Sequence, residues 1–356
     1  MKKKILLTGA SGDVGSDAFA ELLNRRDRYN LRILSLDKKY ERKLFKPYAD
    51  LIDIIWGDLQ NPDDVNKAVD GVDTVIHLAA LIPPAADHRP DLAWKINVDG
   101  TRSLVAAMLK QNPTPELIYA SSISVYGDRV ANPNIRVGDR LNPSIGDEYA
   151  KTKIAAEKLI KQSGLKWSIL RLCGILTTRL KVQPLMFHMP LDTALEWCHS
   201  SDAGYALVEA VEHESAFGRI FNLGGGEKCR VNAREFLSVM LPFYGVAPTA
   251  LPEHAFATRN FHSGDYADGD ELNAILHFRR KTLKDYYDAA RDRISPLSRF
   301  LVGLVPKFMI RRYLMRMSAP LKAIKENNTE LIERFYGSRR AFENMSKCCD
   351  RTAYAV

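Results

Sequence analysis

Cysteine is scarce in this chain of 356 residues. There are five, an odd number, and none forms a C-x-x-C pair: Cys173, Cys198, Cys229, Cys348 and Cys349. A disulfide framework needs more cysteines at closer spacing, and a zinc site needs paired ligands, so both are excluded. We expect reduced thiols and no metal site.

Long apolar runs are also missing. No stretch reaches the roughly 18 apolar residues that a membrane-spanning helix requires. The apolar run that follows the basic start at residues 1–4 is too short for a signal peptide. We therefore expect a cytoplasmic protein, and neither an internal repeat nor a low-complexity tract interrupts the sequence.

The body of the chain has no excess of charge of either sign. The net charge is +8, and residues 291–356 account for all of it, with 14 Lys/Arg against 6 Asp/Glu. Residues 1–290 carry 37 basic and 37 acidic groups. A neutral body gives no electrostatic reason to bind nucleic acid, and we predict no nucleic-acid partner.

Short aliphatic runs alternate with helical patterns through the first half of the chain. Strands are predicted over Ile5–Thr8, Leu31–Leu36, Leu51–Trp56, Thr74–Leu78, Leu117–Ser121 and Trp167–Arg171. Helices are predicted over Val14–Leu23, Pro62–Val69, Ala93–Lys110 and Glu148–Gln162. Such alternation of apolar strands with helices predicts an α/β fold, a doubly wound parallel sheet covered on both faces.

The alternation loosens after about residue 173, which predicts a division of the chain. We assign residues 1–178 to a dinucleotide-binding domain that residues 199–226 complete. Residues 179–198 and 227–290 are predicted to form a smaller substrate-binding lobe. Residues 291–356 are predicted to be a separate basic helical extension, so that deleting 294–356 should leave cofactor binding intact.

A glycine-rich turn lies between the first strand and the first helix. Residues 8–15 read T-G-x-x-G-x-x-G, with Gly9, Gly12 and Gly15. Glycines there allow a tight turn and close approach of the backbone to a pyrophosphate at the helix N-terminus. Asp37 ends the second strand 22 residues after Gly15, where a carboxylate can accept hydrogen bonds from a ribose and repel a 2′-phosphate. The pattern predicts NAD rather than NADP.

Tyr149 and Lys153 are four residues apart on a predicted helix and therefore share one face. A neighbouring ammonium and a positive nicotinamide ring would lower the pKa of the phenol, so Tyr149 is the candidate general acid/base. Three serines, Ser121, Ser122 and Ser124, lie at the end of the fifth strand, at the sheet edge where such folds bind ligands. A serine hydroxyl there can orient a substrate oxygen.

These motifs occur in an order that resembles the extended short-chain dehydrogenase/reductase family, also called the NAD-dependent epimerase/dehydratase family. The resemblance covers about residues 3–230 and implies a Rossmann-type fold. The carrying motifs, in chain order, are T-G-x-x-G-x-x-G, Asp37, Gly57-Asp58, His77-Leu78-Ala79-Ala80, Asn97-Val98-Asp99-Gly100-Thr101, S-S-x-x-V-Y-G at 121–127 and Y-x-x-x-K at 149–153.

The resemblance implies a role for each matching residue. The backbone groups that would hold the pyrophosphate belong to Gly9, Gly12, Asp13, Val14 and Gly15. Asp37 would bind the adenosine ribose, and Asp58 and Leu59 would flank the adenine. The central groove would be lined by Leu78, Ala79 and Ala80, with Asn97 near the nicotinamide half. The catalytic set would be Ser122, Tyr149 and Lys153, the last two also contacting the cofactor. Ser124 is the second choice for the catalytic serine.

Two departures from the family bear on the reaction. Relatives that eliminate water carry an acid pair after the fifth strand, where this chain has Ile123 and Ser124, so we do not expect a dehydratase. Many sugar-nucleotide epimerases carry an Asn after the sixth strand that contacts the nucleotide diphosphate. Gly174 stands there in this chain, which weakens the case for a nucleotide-sugar substrate.

Three functions stay open at this stage. The first is an NAD(P)-dependent oxidoreductase acting on a secondary alcohol or ketone, and the second is a nucleotide-sugar epimerase. The third is a non-catalytic cofactor-binding protein, which the intact Ser122, Tyr149 and Lys153 set argues against. The candidate substrate contacts are Arg179, Lys181, His188, His199, Arg259 and His262.

The partners predicted are a small-molecule substrate and, by analogy with relatives, a second copy in a homodimer. Residues 294–317 mix large apolar and cationic side chains. They suit either peripheral contact with a membrane surface or packing on the enzyme or a second subunit. We favour packing, because Gly303 and Pro306 interrupt the helical pattern.

Overall fold

The computed structural model describes residues 2–177, 184–248, 251–293 and 295–352. In this part of the chain there are twelve strands: β1 (Lys3–Thr8), β2 (Tyr29–Ser35), β3 (Asp53–Trp56), β4 (Thr74–His77), β5 (Glu116–Ser122), β6 (Asn134–Ile135), β7 (Trp167–Leu172), β8 (Gly174–Leu176), β9 (Ala194–His199), β10 (Arg219–Leu223), β11 (Arg230–Asn232) and β12 (Asp265–Tyr266).

The helices alternate with the strands in the first half and follow one another at the end. They are α1 (Asp13–Asn24), α2 (Lys39–Phe45), α3 (Pro62–Val69), α4 (Ala85–His88), α5 (Pro90–Trp94), α6 (Gly100–Met108), α7 (Glu148–Lys161), α8 (Ser200–Glu209), α9 (Ala233–Phe243), α10 (Asp270–Leu276), α11 (Leu283–Arg293), α12 (Pro296–Gly303), α13 (Lys307–Arg316), α14 (Ala319–Lys325), α15 (Thr329–Tyr336) and α16 (Arg339–Thr352). Asn61 caps α3 by accepting a hydrogen bond from the backbone N–H of Asp63, with Pro62 at the first helical position, as the sequence predicts.

Seven strands form one parallel sheet in the order β10-β7-β5-β4-β1-β2-β3. The strand order reverses between β1 and β4, which makes the crevice at their carboxyl ends the ligand-binding position of a doubly wound sheet. The predicted α/β class and parallel sheet are confirmed. The crevice opens where β1 runs into the glycine turn and where β5 ends at Ser122.

Both faces of the sheet are buried by helices, because successive side chains of a strand point to opposite faces. Ile5 and Leu7 of β1 pack in one apolar cluster with Leu22 of α1 and Leu207 of α8. Leu6 belongs to a second cluster on the other face, together with Val65, Leu104 and Ala156 of α3, α6 and α7. The continuous apolar strands of the sequence reflect this double burial.

The predicted long helix over Ala93–Lys110 is interrupted. A single π-helical turn, Lys95–Asp99, joins α5 to α6. Turns of this kind are rare and are common at functional sites. This turn carries Asn97, a predicted cofactor-site residue.

The second half adds a lobe beside the sheet. A small three-stranded sheet, in the order β11-β9-β8, packs with α9 and with Phe187. Leu314 of α13 belongs to the same apolar cluster, and α14 and α15 form a further small cluster with Ala257. The basic extension therefore packs on the lobe. Among the residues described, no helix combines the length and the apolar character needed to cross a membrane.

Candidate active site

The glycine turn joins β1 to α1 with almost no space for side chains. Gly9 has φ +76°, and a Cβ there would lie 2.7 Å from the backbone N of Ala79. A Cβ on Gly15 would lie 1.9 Å from the carbonyl oxygen of Gly9. Both positions therefore require glycine. Because the chain turns this tightly, the N-terminus of α1 lines the cleft, an arrangement suited to a pyrophosphate.

One cleft of about 1150 Å³ runs along the carboxyl edge of the sheet from the glycine turn into the lobe. The described predicted cofactor residues that line it are Gly9, Gly12, Asp13, Val14, Gly15, Asp58, Leu59, Leu78, Ala79, Ala80, Tyr149 and Lys153. Two predicted cofactor residues, Asp37 and Asn97, are not among the lining residues. The structure thus brings twelve of the fourteen predicted residues to one surface.

Asp37 is engaged by a side chain that the sequence reasoning missed. The guanidinium of Arg42, on α2, donates to both carboxylate oxygens of Asp37, with Nη2 2.7 Å from Oδ2. This pairing lowers the pKa of Asp37. Arg42 also lies over the ring of Trp56, 4.8 Å from the ring centre. A signal was present in the sequence, because Arg42 follows Asp37 by only five residues.

Asn97 supports the groove from beneath. It is 1% exposed, and its side-chain amide accepts from the backbone N of Leu81 at 2.7 Å and donates to the carbonyl of Leu81 at 3.0 Å. It also donates to the hydroxyl of Thr152 on α7, at 3.0 Å. Asn97 therefore ties the loop after β4 to the helix that carries Tyr149, a positioning arrangement.

Ser122, Tyr149 and Lys153 come together at the centre of the cleft. Ser122 ends β5, and a side-chain hydrogen bond joins it to Tyr149 near the start of α7. The ammonium nitrogen of Lys153 lies 5.6 Å from the centre of the Tyr149 ring and donates to the carbonyl oxygen of Ala120 at 2.7 Å. The second-choice residue, Ser124, is fully buried and does not line the cleft.

Burial dominates the ionisation of this group. It raises the pKa of Tyr149, with Asp147 adding to the effect and the hydrogen bond to Ser122 opposing it. Burial also lowers the pKa of Lys153 to about 7, against the attraction of Glu157. The sequence predicts a lowered pKa for Tyr149, and in the protein alone the direction is the opposite. The reason is that burial of the phenol itself disfavours its charged form, and the hydrogen bond to Ser122 does not outweigh that cost.

A buried polar network supports the catalytic strands from below. The guanidinium of Arg171 on β7 donates to both carboxylate oxygens of Glu157, at 2.9 and 2.7 Å, and both side chains are nearly inaccessible. Glu157 also accepts from the hydroxyl of Ser121, at 2.6 Å. Arg171 extends the network to the hydroxyl of Tyr126, at 2.7 Å. A buried pair with all its hydrogen bonds made fixes the relative position of β5, β7 and α7.

The part of the cleft beyond Tyr149 is largely apolar. Large side chains from four separate segments line it, including Met189, Trp197, Phe236, Met240, Tyr244 and Phe335. The rings of Trp197 and Phe236 pack 4.9 Å apart. A Cβ on Gly174 would lie 2.7 Å from the Trp197 ring. The glycine that replaces the family's asparagine is therefore what makes room for Trp197.

A polar corner lies on the opposite side, next to Tyr149. Asp147 caps α7 by accepting from the backbone N–H of Ala150 at 2.8 Å, and its other carboxylate oxygen lies 2.9 Å from Nδ1 of His262. Burial acts to raise the pKa of Asp147, but His262 and that cap keep it below its usual value. Arg334 of α15 joins this corner, 3.9 Å from Asp87.

The predicted substrate contacts divide in three ways. His188 and His262 line the cleft, as does Arg334, which the sequence reasoning did not single out. Arg259 is not a lining residue, and neither is His199, whose Nε2 donates to the carbonyl oxygen of Thr282. Arg179 and Lys181 lie outside the described residues.

Comparison with known proteins agrees with this geometry. Residues 6–178 match the model of the 3-beta hydroxysteroid dehydrogenase/isomerase family. This match spans just under half of the chain and agrees with the predicted resemblance to the extended short-chain dehydrogenase/reductase family. The matched segment contains both the glycine turn and the Ser122, Tyr149 and Lys153 set.

Individual members of the family with established names resemble parts of this chain. N-acetyl-alpha-D-glucosaminyl-diphospho-ditrans,octacis-undecaprenol 4-epimerase from Escherichia coli O157:H7 is 32% identical over 168 residues, 46% of this chain and 44% of that protein. The 3-beta-hydroxysteroid dehydrogenase of Mycolicibacterium neoaurum is 30% identical over 165 residues, 44% of this chain and 42% of that protein. The chain thus matches less than half the length of these curated relatives.

Solved structures extend the likeness of the fold beyond the matched segment. UDP-glucuronic acid 4-epimerase from Bacillus cereus, in complex with NAD, superposes with a TM-score of 0.64. The superposition covers 83% of this chain and 99% of that one, at 22% sequence identity. The likeness of fold to this structure therefore extends over most of the chain.

Proposed function

We propose that this protein is an NAD-dependent oxidoreductase that acts on a secondary alcohol or the corresponding ketone. The observation that carries the proposal is the meeting of Ser122, Tyr149 and Lys153 in the cleft that the glycine turn enters. A hydroxyl donor, a phenol and an ammonium within one site are the groups that proton transfer to or from an alcohol oxygen requires.

The residues of the cleft suit a dinucleotide. The turn around Gly9, Gly12 and Gly15 packs so tightly on its own backbone that a Cβ at Gly9 or Gly15 would clash with backbone atoms, and the turn lines the cleft where a pyrophosphate would bind. Asp13 and Val14 would add backbone N–H groups, Asp58 and Leu59 would border the adenine, and the groove would be floored by Leu78, Ala79 and Ala80. We assign Asn97 the role of holding that groove against α7. Several structural neighbours are solved with NAD, which supports NAD as the cofactor here.

Asp37 would meet the adenosine ribose, sharing its carboxylate with Arg42. A carboxylate at this position favours NAD, because a 2′-phosphate would be repelled. Arg42 partly neutralises that charge, so we expect the preference for NAD over NADP to be moderate.

Proton transfer is assigned to the chain's own side chains. Ser122 donates to the substrate oxygen and orients it, while Tyr149 takes the hydroxyl proton in oxidation or returns it in reduction. When the Lys153 amine is protonated, its positive charge stabilises the phenolate of Tyr149. Asp147 fixes the start of the helix that carries Tyr149. The bound nicotinamide supplies or accepts the hydride.

The lining of the cleft supports a neutral, apolar substrate. Of the described lining residues, four are lysine or arginine: Lys38, Arg89, Lys153 and Arg334. Lys153 lies beside Tyr149, Arg334 is near Asp87, and Lys38 follows β2 at the adenosine end. A nucleotide diphosphate is usually met by several arginines, whereas Trp197, Phe236 and Met240 present apolar surface.

A nucleotide-sugar 4-epimerase is the second candidate, and the Bacillus cereus neighbour named UDP-glucuronic acid 4-epimerase favours it. The Escherichia coli relative is also named a 4-epimerase, but its named substrate is an undecaprenol diphosphate sugar. The same three residues would serve both reactions. In an epimerase the oxidised substrate turns over in the site and is reduced on its other face, so the cofactor is unchanged overall.

The homodimer and the membrane contact through 294–317 stay predictions.

Tyr149→Phe tests the catalytic assignment. The change removes the proton donor and keeps the ring, so turnover should fall about 100- to 10,000-fold. NAD affinity, measured by fluorescence titration, should stay within a few fold. Retained turnover would overturn the role of Tyr149. Tyr244→Phe, a change to another phenol of the cleft, is the matched control.

Nicotinamide absorbance separates the two reactions. The wild-type protein is mixed with NAD and either an apolar secondary alcohol or a UDP-sugar. Net formation of NADH from the alcohol supports the oxidoreductase. Inversion of the sugar without a net change in absorbance would replace that proposal with the epimerase.

A further inference from the structure

The surface of the basic extension concentrates exposed apolar side chains. Among the described residues, fifteen large hydrophobic side chains are exposed, and eight of them lie between residues 297 and 313. We refer to α12, α13 and the connection between them, residues 296–316, as the tail hairpin. Its exposed apolar residues are Leu297, Phe300, Leu301, Leu304, Val305, Phe308, Met309 and Tyr313.

The tail hairpin packs on the lobe through one face of α13. Leu314 is 3% exposed and packs in the apolar cluster of the lobe with Phe187 and Leu241. Ile310 and Met317 pack against the same cluster. These three residues follow the i, i+4, i+7 spacing of one helix face, so the opposite face of α13 points away from the lobe.

The outward side is also strongly cationic. Residues 295–325 contain seven Lys/Arg and not one Asp or Glu. Four of these cations, Lys307, Arg311, Arg312 and Arg316, are exposed on α13 itself. Aromatic and aliphatic side chains interspersed with cations and free of acids suit the boundary between anionic headgroups and acyl chains.

A second copy of this chain is the alternative partner for the exposed face of the tail hairpin. In a two-fold symmetric dimer the same patch meets itself, so the cations of α13 would face those of the partner. Like charges brought together in this way oppose association. An anionic bilayer would instead place a phosphate within reach of each cation while burying the same apolar side chains.

We propose that the tail hairpin docks this protein on the surface of an anionic phospholipid bilayer. Phe300, Leu304 and Phe308 enter the upper part of the acyl region, and Arg311 and Arg312 bind lipid phosphates. The cluster that holds α13 includes Met189 and Leu241, which also line the substrate half of the cleft. Docking therefore places the apolar wall of the cleft directly behind the membrane-bound face.

Vesicle flotation tests the docking. The full-length protein is mixed with vesicles of phosphatidylcholine alone or with about 30 mol % phosphatidylserine. We expect the protein to float with the anionic vesicles and at least about tenfold less with the neutral ones. Binding should weaken as salt is added, because the headgroup charge is screened. Protein that stays unbound with anionic vesicles at low salt would overturn the proposal.

The double variant Phe300→Ser/Phe308→Ser tests the apolar contribution. Both side chains are exposed, at 64% and 69%, so the fold should be retained and the thermal midpoint unchanged. Flotation should fall about tenfold or more. The matched control is Tyr40→Ser/Leu51→Ser, which removes side chains that are 57% and 56% exposed elsewhere. Equal loss in the control would contradict the proposal.

Sedimentation velocity without lipid tests whether the tail hairpin is instead an interface between two copies of this chain. If the wild type is a dimer that Phe300→Ser/Phe308→Ser converts to a monomer, the patch is an interface between copies and the proposal fails. An oligomeric state that the double variant leaves unchanged supports lipid docking. Neither measurement uses substrate or NAD, so a negative result here is independent of the proposed oxidoreductase function.

Discussion

The two halves of the cleft are built in different ways. The half around the glycine turn is formed largely by backbone, and its shape is set by the lack of side chains at Gly9 and Gly15. The half beyond Tyr149 is formed by bulky side chains, such as Trp197, Phe236 and Phe335, from segments distant in sequence. The shape of the first half is fixed by the backbone and suits one kind of ligand. The shape of the second half depends on individual side chains, so single substitutions can change it.

The strongest test of the backbone-built half is Gly15→Ala. The added methyl would lie 1.9 Å from the carbonyl oxygen of Gly9, so the turn must open. We expect NAD binding to be lost in a titration, or the protein to unfold at lower temperature, because no flexible side chain can yield. Gly138→Ala is the control, since a Cβ there meets no atom within 4 Å. Normal NAD affinity in Gly15→Ala would mean that this half tolerates side chains.

A smaller effect is expected from Met240→Gln in the side-chain-built half. The side chain keeps its length, but an amide replaces an apolar surface that is 7% exposed. Burying an amide without a partner costs about 1–3 kcal/mol, so KM for an apolar alcohol should rise about tenfold. NAD affinity should be unchanged. If KM stays the same while catalysis persists, the substrate does not occupy this side of the cleft.

The smallest effect is expected at the junction of the halves, in the pH dependence of stability. Burial lowers the pKa of Lys153 to about 7 in the folded protein, whereas a free lysine has a pKa of about 10.4. Between these values the unfolded state binds more protons, so this group makes stability rise with pH through that window. The thermal midpoint of the wild type minus that of Lys153→Met should therefore increase between about pH 7 and about pH 9.

The exposed Lys151 provides the control for this measurement. Its side chain is 48% exposed and pairs with Glu148 on the surface of α7. Lys151→Met should show no comparable gain of the wild type with rising pH. A midpoint difference for Lys153→Met that is flat across the window would mean that the Lys153 ammonium is not desolvated.

The same contrast explains how much of the molecule could be predicted from the sequence. The parallel sheet, the glycine turn and the Ser122, Tyr149 and Lys153 set depend on short contiguous patterns. Each pattern has one dominant physical meaning: an apolar run for a doubly buried strand, or i, i+4 spacing for one helix face. The fold was therefore predictable, and twelve of the fourteen predicted cofactor-site residues meet in one cleft.

What could not be predicted depends on contacts across long sequence separations. The Arg171–Glu157 pair links β7 to α7, and Trp197 packs against Phe236 from another segment. Arg334 reaches the polar corner of the cleft from the far end of the chain. Lys153 shows a different limit, because its pKa depends on burial, which the spacing to Tyr149 does not reveal.

Gly174 and Trp197 carry a consequence for how this cleft can change over time. A Cβ at position 174 would lie within 2.8 Å of two atoms of the indole, and that indole is in turn held against Phe236. Restoring the amide that many sugar-nucleotide epimerases carry there would therefore require the indole to move or a smaller side chain to replace it. We therefore expect the residues at positions 174 and 197 to vary together among proteins that share this cleft.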